Sequence, residues 1–354
     1  MSVKKYGVLD LFCGAGGLSC GFERAGFNIL LGIDNDINAL DTFKKNHNGA
    51  KSICGDITAL SFNKDLKPFL SNRNIDVIIG GPPCQGFSLS GPRNFEDPRN
   101  KLYLSYIRLV KEIMPRAFVI ENVPGLVALF NGEVKDNIIS CFNDVGYSVQ
   151  YKILCAADYG VPQNRKRVVF VGTRNGEGTF IYPTPSKDIV TCEMALSDLP
   201  TLEHELGSET QDYLTPPQNA YQRIMREKSV AVHNHVAAVH SEMIQHIISL
   251  VPDGGNYKDL PVKYRSTRNF HVAWTRFASG KPAPTIDTGH RHHFHYKFNR
   301  VPTVRECARI QSFPDDFIFL GNKTHQFRQV GNAVPPLMAQ RVAFNLRQFL
   351  EGEK

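Results

Sequence analysis

At 354 residues and 42% hydrophobic content, the chain is long enough for one large domain and a smaller one, and its composition excludes a disordered or fibrous protein. No apolar run approaches membrane-spanning length, and residues 1–7 lack the apolar stretch of a signal peptide, so the sequence predicts a cytoplasmic protein without membrane contact. The formal net charge of +7 is modest, and its location says more than its size.

The first half alternates short apolar strands with helical stretches. Strands are predicted at Val8–Phe12, Ile29–Ile33, Val77–Ile79, Phe118–Glu121, Tyr147–Leu154 and Val168–Gly172. Helices are predicted at Leu18–Ala25, Ile37–Asn46, Leu102–Ile113 and Val134–Val145. Strands separated by helices imply an α/β fold, with a mostly parallel sheet covered on both faces. After Thr173 the pattern degrades, and Gly, Pro, Thr and Ser become frequent up to Pro217. Glu242–Leu250 is the clearest helix of the middle. Regularity returns at Thr303, which with Glu306 three residues on reads as a capping box, and a last helix follows Pro336. The chain therefore reads as a catalytic domain, an inserted irregular domain and a C-terminal return to the first.

Eight cysteines (13, 20, 54, 84, 141, 155, 192 and 307) form no CxxC pair, which argues against a zinc ribbon or a redox dithiol. In a reducing compartment they stay thiols, and most serve as small buried hydrophobes. Pro261–Arg300 holds eight Lys or Arg and a single acid, Asp287, so this window alone carries the excess charge of the whole chain. Aromatic residues, among them Phe270, Trp274, Phe277 and Phe294, are interleaved with those cations. That is the footprint of a phosphate-backbone surface; the alternative is a solvated face that only aids solubility. The run His290–His295 is packed too closely for a tetrahedral finger and has no cysteine nearby, so no metal is expected.

Two segments carry chemistry. A predicted strand, then Phe12-Cys13-Gly14-Ala15-Gly16-Gly17, then a helix is a nucleotide-loop layout, in which glycines let the backbone approach a ligand. A nicotinamide dinucleotide site looks similar, but Ser19 stands where its fingerprint needs glycine. Asp34 ends the second strand and suits paired ribose hydroxyls; Asp56 ends the next and suits an adenine amino group. Either aspartate is equally at home as a turn or helix cap. The second segment is Gly80-Gly81-Pro82-Pro83-Cys84-Gln85-Gly86-Phe87-Ser88, after the apolar run Val77–Ile79. It puts Cys84 just past the carboxyl end of a strand, where open α/β sheets place their chemistry.

Pro82-Pro83-Cys84-Gln85 resembles the catalytic motif of the cytosine-5 DNA methyltransferases, and the other family blocks follow in order. They are Asp10–Gly17, Glu121-Asn122-Val123, Gln163-Asn164-Arg165-Lys166-Arg167, Arg305–Gln311 and Gly331–Pro335. The resemblance implies a Rossmann-like, S-adenosylmethionine-dependent methyltransferase sheet plus a smaller target-recognition domain. It implies S-adenosylmethionine as cofactor, with Phe12 beside the adenosine and Gly14, Gly16 and Gly17 at the methionine part. Asp34 would bind ribose, Asp56 and Ile57 adenine, and Pro82, Asn332 and Ala333 would complete the pocket.

Cytosine C5 is too weak a nucleophile to attack a methyl sulfonium unaided. A thiolate added at C6 activates it, and Cys84 supplies that thiol. Glu121 serves N3 as proton donor. Arg165 and Arg167 are expected to place positive charge near O2 and to orient Glu121; the alternatives are a structural strand-end acid and a surface cation. The target atom is inaccessible inside a duplex, so the nucleotide must be extruded. Gln85, Ser90 and Arg99 are expected at the DNA, and Arg265, Arg268, Arg276 and Arg291 are candidates for guanine edges or phosphates.

The functional segments are expected at 1–195 (catalysis and cofactor), 196–303 (target recognition), 304–327 (hinge) and 328–354 (return to the catalytic domain). The expected partner is double-stranded DNA. The protein is expected to act as a monomer, with a restriction endonuclease encoded separately. The rival readings are a tRNA cytosine-5 methyltransferase, which shares most motifs, and a non-catalytic DNA-binding relative. The chain has no Cys-Phe-Thr run, the signature of the tRNA-acting relatives. Cys84, Glu121, Arg165 and Arg167 are all present, against a damaged site.

Overall fold

The structure is a computed structural model that describes residues 5–71, 73–83, 101–176, 178–203, 205–265, 274–289 and 293–352. The chain divides into two compact units. The first comprises residues 1–155, 166–184 and 338–354, and the second 156–165 and 185–337.

The first unit is built on a seven-stranded sheet of order β3-β2-β1-β4-β5-β7-β6. Its strands are β1 (Gly7–Leu11), β2 (Asn28–Asp34), β3 (Lys51–Cys54), β4 (Val77–Gly80), β5 (Ala117–Asn122), β6 (Tyr147–Cys155) and β7 (Lys166–Arg174). Helices α1 (Gly17–Arg24), α2 (Ile37–Asn46), α3 (Lys101–Ile113) and α4 (Glu133–Asp144) lie between strands in sequence. β1 to β5 pair in parallel, as apolar runs separated by helices require. β7 instead runs antiparallel to both β5 and β6, so the sheet is mostly rather than wholly parallel, as expected. Residues 156–165 are too short a link for a helical crossover, so β7 can only return in the opposite sense.

Alternate residues of β1, β4 and β5 (Leu9, Leu11, Ile78, Phe118, Ile120) share one core with Tyr103, Tyr106 and Leu109 of α3 and Phe142 of α4. The chain builds β1, β2 and β3 in one direction, then returns to add β4 and β5 on the other side of β1. The switch point therefore lies between β1 and β4, whose carboxyl ends are matched at Leu11 and Gly80. Both sequence segments singled out above leave the sheet there.

The second unit carries little sheet: β8 (Thr210–Gln211) pairs with β9 (Val232–His233), and β10 (Thr275–Arg276) with β11 (His293–Phe294). Its helices are α5 (Cys192–Leu196), α6 (Ala220–Arg226), α7 (Glu242–Ser249), α8 (Val262–Arg265), α9 (Val304–Ile310) and α10 (Lys323–Asn332). A small core gathers Ile247, Ile248, Val251, Leu260, Trp274, Phe294 and Val301. The capping box read at Thr303 starts α9: Glu306 N–H donates to Thr303 Oγ1 (3.2 Å) and Thr303 N–H to Glu306 Oε2 (2.7 Å). The last helix, α11 (Pro336–Glu351), enters the first unit at Met338. There Arg347 Nη1 donates to Ala25 O (3.2 Å), and Tyr6 donates its hydroxyl to Leu350 O (3.1 Å).

Among the described residues no helix is long and apolar enough to cross a membrane.

Candidate active site

At the carboxyl end of β5, the Glu121 side chain is 12% exposed, and its Oε1 lies 2.7 Å from Arg167 Nε on β7. The antiparallel return of β7 makes this possible, because it brings the start of that strand beside the end of β5. Arg167 Nη1 also donates to Lys166 O (2.8 Å), which fixes the guanidinium. On the neighbouring strand, Gly81 and Pro82 follow the end of β4, and Asn122 Nδ2 donates to Pro82 O (2.8 Å). An acid, its cation and the turn toward Cys84 therefore share one edge of the first unit. Cys84 lies outside the described residues, as do Gln85, Ser90, Arg99, Arg268 and Arg291.

Arg165, expected beside Arg167, belongs to the second unit and is buried. Its Nη1 donates to Ile286 O (3.0 Å) and its Nη2 to Gly331 O (2.7 Å). Gln163 Nε2 donates to Gln311 Oε1 (2.6 Å). Three sequence blocks far apart in the chain thus meet inside this unit. Asn332 ends α10 and Ala333 caps it, with Ala333 O accepting from Gln311 Nε2 (3.2 Å).

Beside the acid edge, β1 ends in a tight loop. Phe12 (φ 63°), Gly14 (φ 53°) and Gly16 (φ 97°) are all left-handed. At Gly16 a Cβ would lie 2.1 Å from His47 Nε2, so no side chain fits. Asp34 braces this loop: its Oδ2 accepts from Gly14 N–H (2.8 Å) and its Oδ1 from Asp36 N–H (2.9 Å). Burial pushes the Asp34 carboxyl up, and those two backbone donors oppose the shift. Each carboxylate oxygen keeps a second lone pair for a hydroxyl. Asp56, exposed just beyond β3, accepts from Thr58 N–H (2.9 Å), and Ile57 beside it is buried. No side chain caps α1, whose first turn includes Gly17. A loop closed to side chains, a bare helix start and two acids on adjacent strand ends fit an adenosine-bearing ligand.

A sequence model of the C-5 cytosine-specific DNA methylases matches residues 6–348. The chain belongs to that family. It is 41% identical over 373 residues to the type II methyltransferase M.DdeI of Desulfomicrobium norvegicum, covering 98% of this chain and 89% of that protein. It is equally, 41%, identical over 338 residues to the type II methyltransferase M1.HphI of Haemophilus parahaemolyticus, covering 95% and 85%. Among solved structures, a DNA modification methyltransferase encoded within an E. coli prophage superposes with a TM-score of 0.83 at 29% identity, over 98% of this chain and all of that one.

In this cytosine-5 DNA methylase, one recognition residue needs correcting. Arg276, expected at DNA, is 5% exposed. Its Nε donates to Val251 O (2.7 Å), its Nη1 to His295 O (2.9 Å) and its Nη2 to Ile248 O (2.6 Å) and Asn299 Oδ1 (3.0 Å). It braces the small core from inside and has no donor to offer a base. Arg265 is exposed, with Nε donating to Leu260 O (2.7 Å). Among the described residues no cluster of three His, Cys, Asp or Glu could hold a metal ion.

Sequence reasoning missed Asp10. It lies on β1 two residues before Phe12 and is 1% exposed. Its Oδ2 accepts from Ser19 Oγ (2.6 Å), and its Oδ1 has no hydrogen-bond partner among the described residues. Burial pushes the Asp10 carboxyl up to about 8, against the Ser19 hydrogen bond and with help from Asp34. An acid inside an otherwise apolar strand was the available signal. The folded methylase holds a proton there that the unfolded chain gives up near pH ~4. Stability is therefore lost as pH rises from about 4 to about 8. Asp10→Asn is expected to gain on the wild type by about 1.4 kcal/mol per pH unit across that window. Urea midpoints of both proteins at pH 6, 7 and 8 check this; parallel curves would show Asp10 ionised throughout.

Proposed function

We propose that this methylase transfers a methyl group from S-adenosylmethionine to C5 of a cytosine extruded from double-stranded DNA, with Cys84 as covalent nucleophile. The observation that carries the reading is the Glu121–Arg167 pair, held beside the Pro82–Pro83 turn that leads to Cys84.

Cys84 Sγ adds to C6, and the C5–C6 π electrons shift into the ring toward N3 and O2. Glu121 gives N3 a proton, so the added charge is not left on the ring. Arg167 keeps the Glu121 carboxyl in one orientation and puts positive charge near O2. When bound, S-adenosylmethionine supplies an electrophilic methyl group; Gly14, Gly16, Gly17, Asp34, Asp56 and Ile57 would hold it. Water then takes the C5 proton, the C6–S bond breaks to return the thiolate, and N3 gives its proton back to Glu121. With the Gly81–Pro83 segment and the glycine loop leaving the adjacent strands β4 and β1, both reactants would meet at the switch point.

The type II methyltransferases named above support a role in a restriction–modification system, with the endonuclease encoded separately. We take the methylase to act as a monomer in the cytoplasm, since one chain carries every motif.

The test is a duplex pool carrying 5-fluorocytosine, incubated with the methylase and S-adenosylmethionine. Fluorine at C5 cannot leave as a proton, so the adduct persists. The expected result is a protein–DNA conjugate whose DNA-bearing peptide contains Cys84. Conjugation at another cysteine, or to tRNA in preference to duplex DNA, overturns the proposal.

A further inference from the structure

We infer that Asn122 and Gly81 are positioning residues for methyl transfer: together they set the separation between the Glu121 carboxyl and the turn leading to Cys84. The inference rests on the roles proposed above for Cys84 and Glu121.

β4 and β5 pair in parallel up to Gly80 and Ile120. Pro82 has no N–H, so it cannot extend the ladder as a donor. Its buried neighbourhood leaves its carbonyl in need of a partner. Asn122, 6% exposed, supplies one through Nδ2 at 2.8 Å. The other end of the same amide is also committed, because Oδ1 accepts from Val123 N–H at 2.8 Å. With both ends engaged the amide cannot turn, and the Pro82 carbonyl is held against the residue that follows Glu121.

Gly81 sets the other side of the gauge. A Cβ there would lie 3.1 Å from Glu121 Oε2 and 3.5 Å from Glu121 O, so the carboxyl rests over bare backbone. Its other oxygen, Oε1, is held by Arg167 at 2.7 Å. Gly81 is not left-handed, so alanine is tolerated by the backbone and acts only by pressing on the carboxyl. Two separate contacts, one on the turn and one on the acid, therefore fix one spacing. Such a spacing matters because a misplacement of about 1 Å can cost about 100-fold in rate.

The experiment uses the full chain and measures single-turnover capture of 5-fluorocytosine duplex DNA, beside DNA and cofactor affinities. Asn122→Asp keeps the shape but replaces the Nδ2 donor by an oxygen that repels Pro82 O. It is expected to slow capture by about 10- to 100-fold, with both affinities held within about twofold. Gly81→Ala is expected to slow capture by about 10-fold and to move the pH at which capture is half-maximal, because it disturbs the group serving N3. If Asn122→Asp does not fold, Gly81→Ala decides the matter. A wild-type capture rate and pH profile in a folded variant overturns the inference. Cys84→Ser runs in parallel: capture that survives it sinks the parent mechanism instead.

Discussion

Replacing Cys84 by serine is expected to abolish methyl transfer, lowering kcat by about 10³-fold or more, while duplex DNA still binds. A thiol near its usual pKa of about 8.5 is a few per cent thiolate at neutral pH, whereas a serine hydroxyl supplies almost no anion. The step lost is the addition at C6, on which the nucleophilicity of C5 depends. Nothing else at the edge needs to change: Glu121 stays paired with Arg167, and Pro82 O with Asn122. DNA affinity comes mostly from phosphate contacts, which the substitution does not touch. Tritium transfer from labelled cofactor measures the first quantity and a gel mobility shift the second. Turnover near the wild-type rate would mean that the ring is activated without a covalent bond.

Much of the first unit was legible because burial on both faces of a parallel sheet writes apolar runs such as Ile29–Ile33 and Val77–Ile79 directly into the sequence. The sense of β7 was not read, although the short link at 156–165 was enough to exclude a crossover. Glu121, Arg167 and Asp34 were named in advance from the order of the motif blocks, since a strand-end acid alone serves equally well as a turn or helix cap; the structure sets Glu121 against Arg167 and Asp34 against the glycine loop. Arg276 was misplaced for a physical reason. A guanidinium that braces carbonyls from inside looks, in sequence, the same as one that faces a phosphate. Asp10 was read only as the start of a motif block, although an acid inside an apolar strand was visible in the sequence; the desolvation that gives it its role comes from tertiary burial. Arg305 and Arg309 were seen only as part of a motif block, and their partners lie too far along the chain for spacing to suggest them.

Arg309 gives the largest stability effect expected outside the chemistry. Its side chain is fully buried in the second unit and all its donors are taken. Nε and Nη2 reach Asp315 Oδ1 and Oδ2 (2.5 and 2.6 Å), while Nη1 reaches Asp198 Oδ1 (3.0 Å) and Ala195 O (2.8 Å). Burial alone would push the Asp315 carboxyl up, but Arg309 and then Arg305 hold it below the usual range. Asp315 also accepts the Tyr213 hydroxyl (2.6 Å), so the network extends to the loop that precedes α6. Arg309→Met keeps the volume but leaves two buried carboxylates short of a shared cation. The expected cost is about 3–5 kcal/mol, the range for breaking a buried pair from one side. Arg309→Lys is expected to recover little, because a single ammonium cannot span both carboxylates as the planar fork does. Trp274, the chain's single tryptophan, sits in the small core of this same unit, so its emission reports the unfolding directly. The urea midpoint read from that emission should fall in both variants. The deficit should shrink below pH ~4, because the folded pKa of Asp315 is depressed and its contribution fades as the carboxyl protonates. A midpoint unchanged in Arg309→Met would mean that Arg226, which reaches Asp198 Oδ2 at 3.1 Å, and Arg305 suffice to neutralise the pair.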